Sequence, residues 1–215
     1  MKRKKILKVE RLVVGQMQTN CYLIYNENTH EAIILDPGED DAYIIEKVQQ
    51  VDLKPLKIIV THGHFDHILA AYSIQKTYNI PFVIHKNDRF LVHQMASSAS
   101  HFLGFETHSL PPVIDEDIYD GVKVKIGYQY LDVIETPGHT PGSISLIDET
   151  RSFAIVGDLV FAGGGVGRTD FSYSNTHDLN RSIEIFLSYP KEMTIFTGHG
   201  ETTTIGEVIK YHGKN

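Results

Sequence analysis

Short runs of β-branched and other apolar residues alternate along this chain with segments whose apolar positions recur every three to four residues. Residues 20–25 and 31–35 read as strands, the second closed by the turn Asp36-Pro37-Gly38. The period then lengthens. Asp40 or Asp41 is placed to cap a helix that buries Ile44, Ile45 and Val48. Residues 58–60 are expected to form a strand, 68–78 a helix with Ile68, Leu69 and Tyr72 inward, and 81–85 another strand. Between Lys86 and Asp120 the pattern loosens into Ser97-Ser98-Ala99-Ser100, Gly104 and Pro111-Pro112, which predicts a long irregular connection of the kind that often covers a site. Strands resume at 122–126, 131–135, 143–147 and 152–156. Thr176 is expected to cap a helix with Leu179, Ile183, Phe186 and Leu187 on one face. Residues 193–197 form the last predicted strand, and Thr204 with Glu207 a capping box for a final helix. No repeat, low-complexity tract or linker divides the sequence, so it predicts one α/β domain over residues 1–215.

Charge and cysteine content narrow the setting. A formal net charge of −7 argues against nucleic acid as a partner, because duplex binding calls for a basic face. The single cysteine, Cys21, excludes an intramolecular disulfide and fits a reducing cytoplasm. Lying in a strand-like run, it is expected to be a small buried hydrophobe and not a nucleophile. The basic start Lys2-Arg3-Lys4-Lys5 resembles the head of a signal peptide, but Lys8, Glu10 and Arg11 break the apolar run that should follow. A basic tail leading into a first strand is expected, with no membrane partner.

The chemistry concentrates in Thr61-His62-Gly63-His64-Phe65-Asp66-His67, directly after an apolar run. Neutral imidazoles and carboxylates are the usual ligands of zinc and similar divalent ions, and alternating histidines leaving a strand can converge on one ion. The strands of the second half end in the same kind of residue. Residues 131–135 run into the turn holding His139, 153–156 into Gly157-Asp158, and 195–197 into Gly198-His199-Gly200. Glycines beside these residues let the backbone bend sharply or approach an ion closely. His62, His64 and His139 would make one three-nitrogen site, Asp66, His67 and His199 a second, and Asp158 a bridge between two ions.

This constellation closely resembles the metallo-β-lactamase-fold hydrolases. Within them, Thr19-Asn20-Cys21-Tyr22-Leu23, Gly138-His139-Thr140-Pro141-Gly142-Ser143, Gly157-Asp158-Leu159-Val160-Phe161, Gly167-Arg168-Thr169-Asp170-Phe171 and Thr197-Gly198-His199-Gly200 are similar to the short bacterial branch of the glyoxalase II (hydroxyacylglutathione hydrolase) family. The resemblance implies an α/β fold, a four-layer αββα sandwich of two mixed β-sheets. It also implies two divalent metal ions, zinc first with iron or manganese as alternatives, at one edge between the sheets. The implied reaction is hydrolysis of a small-molecule acyl-thioester by a metal-bound hydroxide, with Asp66 counted among both the catalytic groups and the ligands. Longer members carry a C-terminal helical domain that helps to hold glutathione. Asn215 lies only 16 residues beyond His199, so that domain is not expected here.

Further from the ligands the reading divides. Asp36 is placed either to orient a ligand histidine or simply to shape its turn. Arg168, after a glycine run, is expected to fork onto a substrate carboxylate, with pairing to Asp170 as the alternative. Tyr173 is expected to line the same pocket. Persulfide dioxygenases resemble the chain in the same motifs and hold one iron on the residues matching His62, His139 and Asp158. A nuclease, a true β-lactamase and a metal-stabilised binding module are the remaining alternatives.

Overall fold

The computed structural model describes residues 7–148, 150 and 152–213; the basic run at residues 2–5 lies outside them. Strand β1 (Leu7–Val14) pairs antiparallel with β2 (Thr19–Asn26), and β2 with β3 (Glu31–Leu35). Both faces of β2 and β3 are apolar. Cys21, Leu23, Ala32 and Ile34 join one core cluster, and Tyr22, Ile24, Ile33 and Leu35 join another. Such a sheet has to be covered on both sides.

The cover follows from the order of elements. Helix α1 (Asp41–Gln50) leads to β4 (Lys54–Ile59), and α2 (Ala71–Tyr78) leads to β5 (Phe82–Ile84). Next come α3 (Arg89–His93), α4 (Met95–Leu103) and β6 (Ile114–Asp117). The sheet runs β1-β2-β3-β4-β5-β6, antiparallel as far as β3 and parallel from there. The second sheet contains β7 (Lys123–Ile126), β8 (Gln129–Glu135), β9 (Ile144–Asp148) and β10 (Phe153–Ile155). Beyond helix α5 (Thr176–Phe186), β11 (Thr194–Phe196) and the short β12 (Thr203–Thr204) complete it, before α6 (Ile205–His212). Its order is β12-β11-β10-β9-β8-β7, with β10 and β11 parallel and the other pairs antiparallel.

Three apolar clusters separate four layers. Ile44, Val48, Ile74, Met95 and Ala99 of the first helices pack on the outer face of the first sheet. Tyr22, Ile33, Ile59, Val133, Leu146 and Ile155 fill the space between the sheets. Leu179, Ile183, Phe186 and Val208 of α5 and α6 cover the outer face of the second sheet. The αββα sandwich of two mixed sheets expected from the sequence is the observed fold. Among the described residues no helix is long and apolar enough to cross a membrane.

Several local expectations are corrected. The stretch after Lys86 is irregular chiefly over residues 104–113: α3, α4 and β6 flank these, because Val92, Met95 and Ala99 give the first part a buried face that the serines between them obscure. The helix expected from residue 68 begins at Ala71, after a 3-10 turn over Phe65–His67. Asp40 does not cap α1; it adopts a left-handed backbone (φ 56°), and its carboxylate instead accepts from the Gly15 N–H at 2.8 Å. Asn175, not Thr176, caps α5, accepting from the N–H groups of His177 and Asp178. The capping box at α6 is half formed. Thr204 Oγ1 accepts from Glu207 N–H, but the Glu207 carboxylate accepts from Thr203 Oγ1 instead of reaching back.

Candidate metal centre

Strands β3, β4 and β5 run parallel, so Asp36 and the His62–His67 segment leave the first sheet at one edge. In the second sheet β8, β10 and β11 share a direction, and their ends deliver His139, Asp158 and His199. Ligands of open α/β sheets collect outside such strand ends. Two backbone hydrogen bonds close the two edges on each other, Ile144 N–H to Thr61 O and Asn20 N–H to Gly198 O, both 2.8 Å.

All seven ligand residues named from the sequence meet there. His62, His64 and His139 form one group with facing ring nitrogens: His62 Nε2 and His139 Nε2 lie 3.0 Å and 2.9 Å from His64 Nδ1. Asp66, His67 and His199 form the other, with Asp66 Oδ2 3.3 Å from His199 Nε2 and 3.7 Å from His67 Nε2. The Asp158 carboxylate stands between them. Its Oδ1 is 3.6 Å from His67 Nε2, and its Oδ2 is 3.6 Å from both His139 Nε2 and His199 Nε2. Glycine makes room for this approach. A Cβ on Gly198 would fall 2.0 Å from Asp158 Oδ1, and Gly157 adopts a positive φ of 54° directly before the carboxylate.

The outward ring nitrogens are tied down. His62 Nδ1 lies 3.1 Å from Thr61 Oγ1, His67 Nδ1 3.0 Å from Asp36 Oδ2, His139 Nδ1 2.8 Å from Arg168 O, and His199 Nδ1 3.0 Å from Met17 O. Each of these rings therefore turns Nε2 to the centre. His64 is reversed: its Nε2 lies 2.8 Å from Tyr173 Oη, and Nδ1 faces inward. Metal-ligating histidines are oriented in this way by a partner on the second nitrogen. The inward atoms lack ordinary partners. His67 Nε2 and Asp158 Oδ1 are buried without a hydrogen bond, an unfavourable state for polar atoms unless a cation satisfies them. The donor set, nitrogen-rich with two carboxylates, is suited to divalent metal ions.

The two groups differ in charge. Burial, reinforced by His67, His64 and His139, holds His62 well below the ordinary imidazole range. Burial and then His139 bring His64 down to about 3. At His67 burial also opposes the charged form, but Asp66, Asp36 and Asp158 outweigh it and carry the imidazole up to about 10. Burial of Asp66 is likewise outweighed, by His67 and His199, which hold its carboxyl below the usual range.

Asp36, fully buried, accepts from both Thr61 N–H and Thr61 Oγ1 at 2.7 Å while facing His67. It thus shapes its turn and orients a histidine together. Tyr173 lines the cleft above the centre, as does Arg168, but the Arg168 guanidinium donates to both Asp170 carboxylate oxygens at 2.9 and 2.7 Å. The pairing alternative is thus the arrangement seen. Cys21 is buried, and burial with nearby Asp36 raises its thiol pKa, which keeps it unreactive.

Sequence reasoning missed Asp88. This fully buried carboxylate accepts from Gly63 N–H (2.9 Å), Thr140 Oγ1 (2.6 Å) and Gly142 N–H (2.6 Å), joining the loop of His62 and His64 to that of His139. Its one sequence signal, a carboxylate closely following an apolar strand, was lost in a segment read as irregular. Thr19 was also missed; its Oγ1 donates to Asp66 Oδ2 at 3.1 Å.

A sandwich with these residues at its open edge defines a metal-dependent hydrolase class. Residues 14–199 match the metallo-beta-lactamase superfamily, and the chain belongs to it. The chain is 33% identical to a probable metallo-hydrolase, YqgX, of Bacillus subtilis, over 93% of each chain. It is 32% identical to the hydroxyacylglutathione hydrolase GloC of Haemophilus influenzae, over 94% of each. Among solved structures it superposes on the BLEG-1 B3 metallo-beta-lactamase with a TM-score of 0.86, at 31% identity, covering 95% of this chain and 98% of that one. For TTHA1623 in a di-iron-bound form the TM-score is 0.83, at 28% identity, with 94% and 96% covered. For ETHE1 from Myxococcus xanthus it is 0.76, at 25% identity, with 95% and 83% covered.

Proposed function

We propose that this chain hydrolyses small acyl-thioesters with two divalent metal ions, zinc foremost and iron or manganese as alternatives, in the cytoplasm. The observation that carries this reading is the Asp158 carboxylate standing between two complete three-ligand groups. His62, His64 and His139 would hold one ion, Asp66, His67 and His199 the other, and Asp158 both. Such a pair, when bound, makes water a nucleophile near neutral pH and stabilises the charge that develops on the attacked carbonyl oxygen.

The chain's own residues supply the rest. His67 and His199 keep Asp66 ionised, so its carboxylate would help to hold the second ion and to orient the attacking water, whose proton passes to solvent before its oxygen adds to the acyl carbon. The carbon–sulfur bond then breaks with its electron pair on sulfur. Thiols have a pKa of about 8.5, so the thiolate departs without a strong general acid. Ring walls beside the ligands give the acyl group apolar surface to pack against. The hydroxyacylglutathione hydrolase relative supports the reaction class.

The similarity to ETHE1 favours a second reading, a persulfide dioxygenase using one iron on His62, His139 and Asp158. Elemental analysis of purified protein, a thioester screen and oxygen uptake with a persulfide separate the two. Two metals per chain with thioester turnover is the expected result. One tightly held iron, a second site empty after supplementation, and oxygen consumption would falsify the hydrolase reading.

A further inference from the structure

The cleft above the ligand cluster, about 540 Å³, is walled by rings. Phe65 and Phe102 stack with centroids 5.7 Å apart and 13° between planes, and Phe171 and Tyr173 stack at 5.2 Å and 8°. Phe102 and Phe171 meet edge to face at 6.5 Å, so the two pairs join into one continuous aromatic wall. Phe102 is nevertheless 44% exposed, and Met17, another lining residue, 41%. Apolar surface gathered around a concave site, with a few polar groups at its floor, is the usual make-up of a pocket for an apolar ligand group.

The charges lining the cleft point the same way. Arg168 is its one lysine or arginine among the described residues, and its guanidinium is committed twice over. It donates two hydrogen bonds to Asp170, and its carbon lies 4.7 Å from the centre of the Phe171 ring. Asp66 and Asp158 are the acidic residues of the floor. A carboxylate placed against these ring walls, away from the ligand cluster, would lose hydration beside an arginine already paired to Asp170, which is costly. A glutathione thioester carries two carboxylates away from its reacting carbonyl; an arylacyl thioester of a neutral thiol carries none.

We propose that this cleft selects an uncharged aromatic acyl group, and so prefers arylacyl thioesters of neutral thiols to glutathione thioesters. The inference rests on the thioester reading above. Its structural basis is two stacked ring pairs joined edge to face beside the ligand cluster, with the neighbouring arginine paired to Asp170.

Binding tests it independently of turnover. Calorimetry on the metal-loaded protein would compare two non-hydrolysable thioethers, the S-(2-phenylethyl) ether of N-acetylcysteamine and S-methylglutathione. The phenyl ether is expected to bind at least about tenfold more tightly, since ring contacts add to the burial of its area. Phe102→Ala should remove most of that difference. Asp170→Asn, an exposed change, should release Arg168 and tighten binding of the glutathione ether several-fold. Equal or tighter binding of the glutathione ether by the unaltered protein would overturn the proposal, as would an Asp170→Asn variant with unchanged affinity for it. Hydrolysis of the matching thioesters, followed in parallel, keeps the two ideas apart: a phenyl preference without turnover supports the selectivity of the cleft and removes the thioester reading.

Discussion

The two halves of the ligand cluster are built on different principles. The His62–His64–His139 half is a basket hung from one buried carboxylate, because all three donors accepted by Asp88 lie beside these residues, and burial keeps His62 and His64 neutral. The Asp66–His67–His199 half is a charge cluster. His67 is held protonated among Asp66, Asp36 and Asp158, so a proton occupies the place where a metal cation would balance those carboxylates. One half is organised by hydrogen bonds to backbone and the other by opposite charges. His62 and His64 are therefore poised to take an ion without losing a proton, and His67 is not.

Asp158 should be the residue whose loss erases this difference, since it faces both halves. Asp158→Ala is expected to reduce metal content at both sites and to lower thioester kcat/KM by more than the ~10–100-fold typical of a supporting residue. Metal analysis beside kinetics checks it; two ions with normal turnover would remove Asp158 from the ligand set.

Next in size are two conservative changes that should split the halves. In Asp88→Asn, either amide orientation sets an NH2 against a backbone N–H, that of Gly63 or that of Gly142. The fold should lose about 1–3 kcal/mol, and the first half about 10–100-fold in metal affinity. Asp36→Asn is gentler on the fold: the amide oxygen still accepts from Thr61 N–H, and asparagine tolerates the positive φ of 51° at this position. Its NH2 then faces His67 Nδ1, moves that ring's proton to Nε2, and blocks the second half. Stepwise metal titration with thermal melts tells these outcomes apart. A loss at the same half in both variants would refute separate clamps.

The pH dependence sharpens the same contrast. Metal must displace the proton of His67, so affinity at the second half should rise about tenfold per pH unit from neutrality until about pH 10. The first half should be nearly flat over that range, because His62 and His64 are already neutral. In the metal-free protein the sign reverses. A raised imidazole pKa stabilises the fold fully below its ordinary value of about 6.5, and that contribution disappears as pH rises through about 10. Chelator competition at several pH values, with melts of metal-free protein, measures both slopes.

These clamps show why the site was only partly legible in the sequence. The candidate ligands announce themselves: His62, His64, Asp66 and His67 share seven residues, and His139, Asp158 and His199 each follow an apolar strand with a glycine alongside. The sheets were legible for a similar reason, because buried strands such as β3 and β9 are short apolar runs. The supports are dispersed. Asp88 acts on residues 25 and more than 50 positions away, and its one local signal, its place just after a short apolar strand, falls where the pattern loosens. Helix α4 was hidden because its serines carry a loop signal while Met95 and Ala99 supply the buried contacts, a case of tertiary packing overriding local preference. Asn175 was passed over for Thr176 because both cap well and only backbone geometry separates them.

The smallest effect expected is at Tyr173, among the described residues the one cleft-lining residue that meets the outward ring nitrogen of a candidate ligand through its side chain. Its Oη lies 2.8 Å from His64 Nε2, while its ring stacks on Phe171 and meets Phe90 edge to face at 5.3 Å. Tyr173→Phe keeps the ring contacts and removes only the hydroxyl. His64 then loses what keeps its Nδ1, and not its Nε2, toward the basket, although its loop remains fixed by Asp88 through Gly63. A net hydrogen bond is worth about 1 kcal/mol, so metal affinity at the first half should fall about fivefold, with the second half unchanged. Cobalt substitution offers a readout that packing alone would not move, since the visible bands report ligand geometry at the substituted site. If affinity and spectrum both match the unaltered protein, Asp88 alone sets the geometry of the basket and the tyrosine belongs only to the cleft wall.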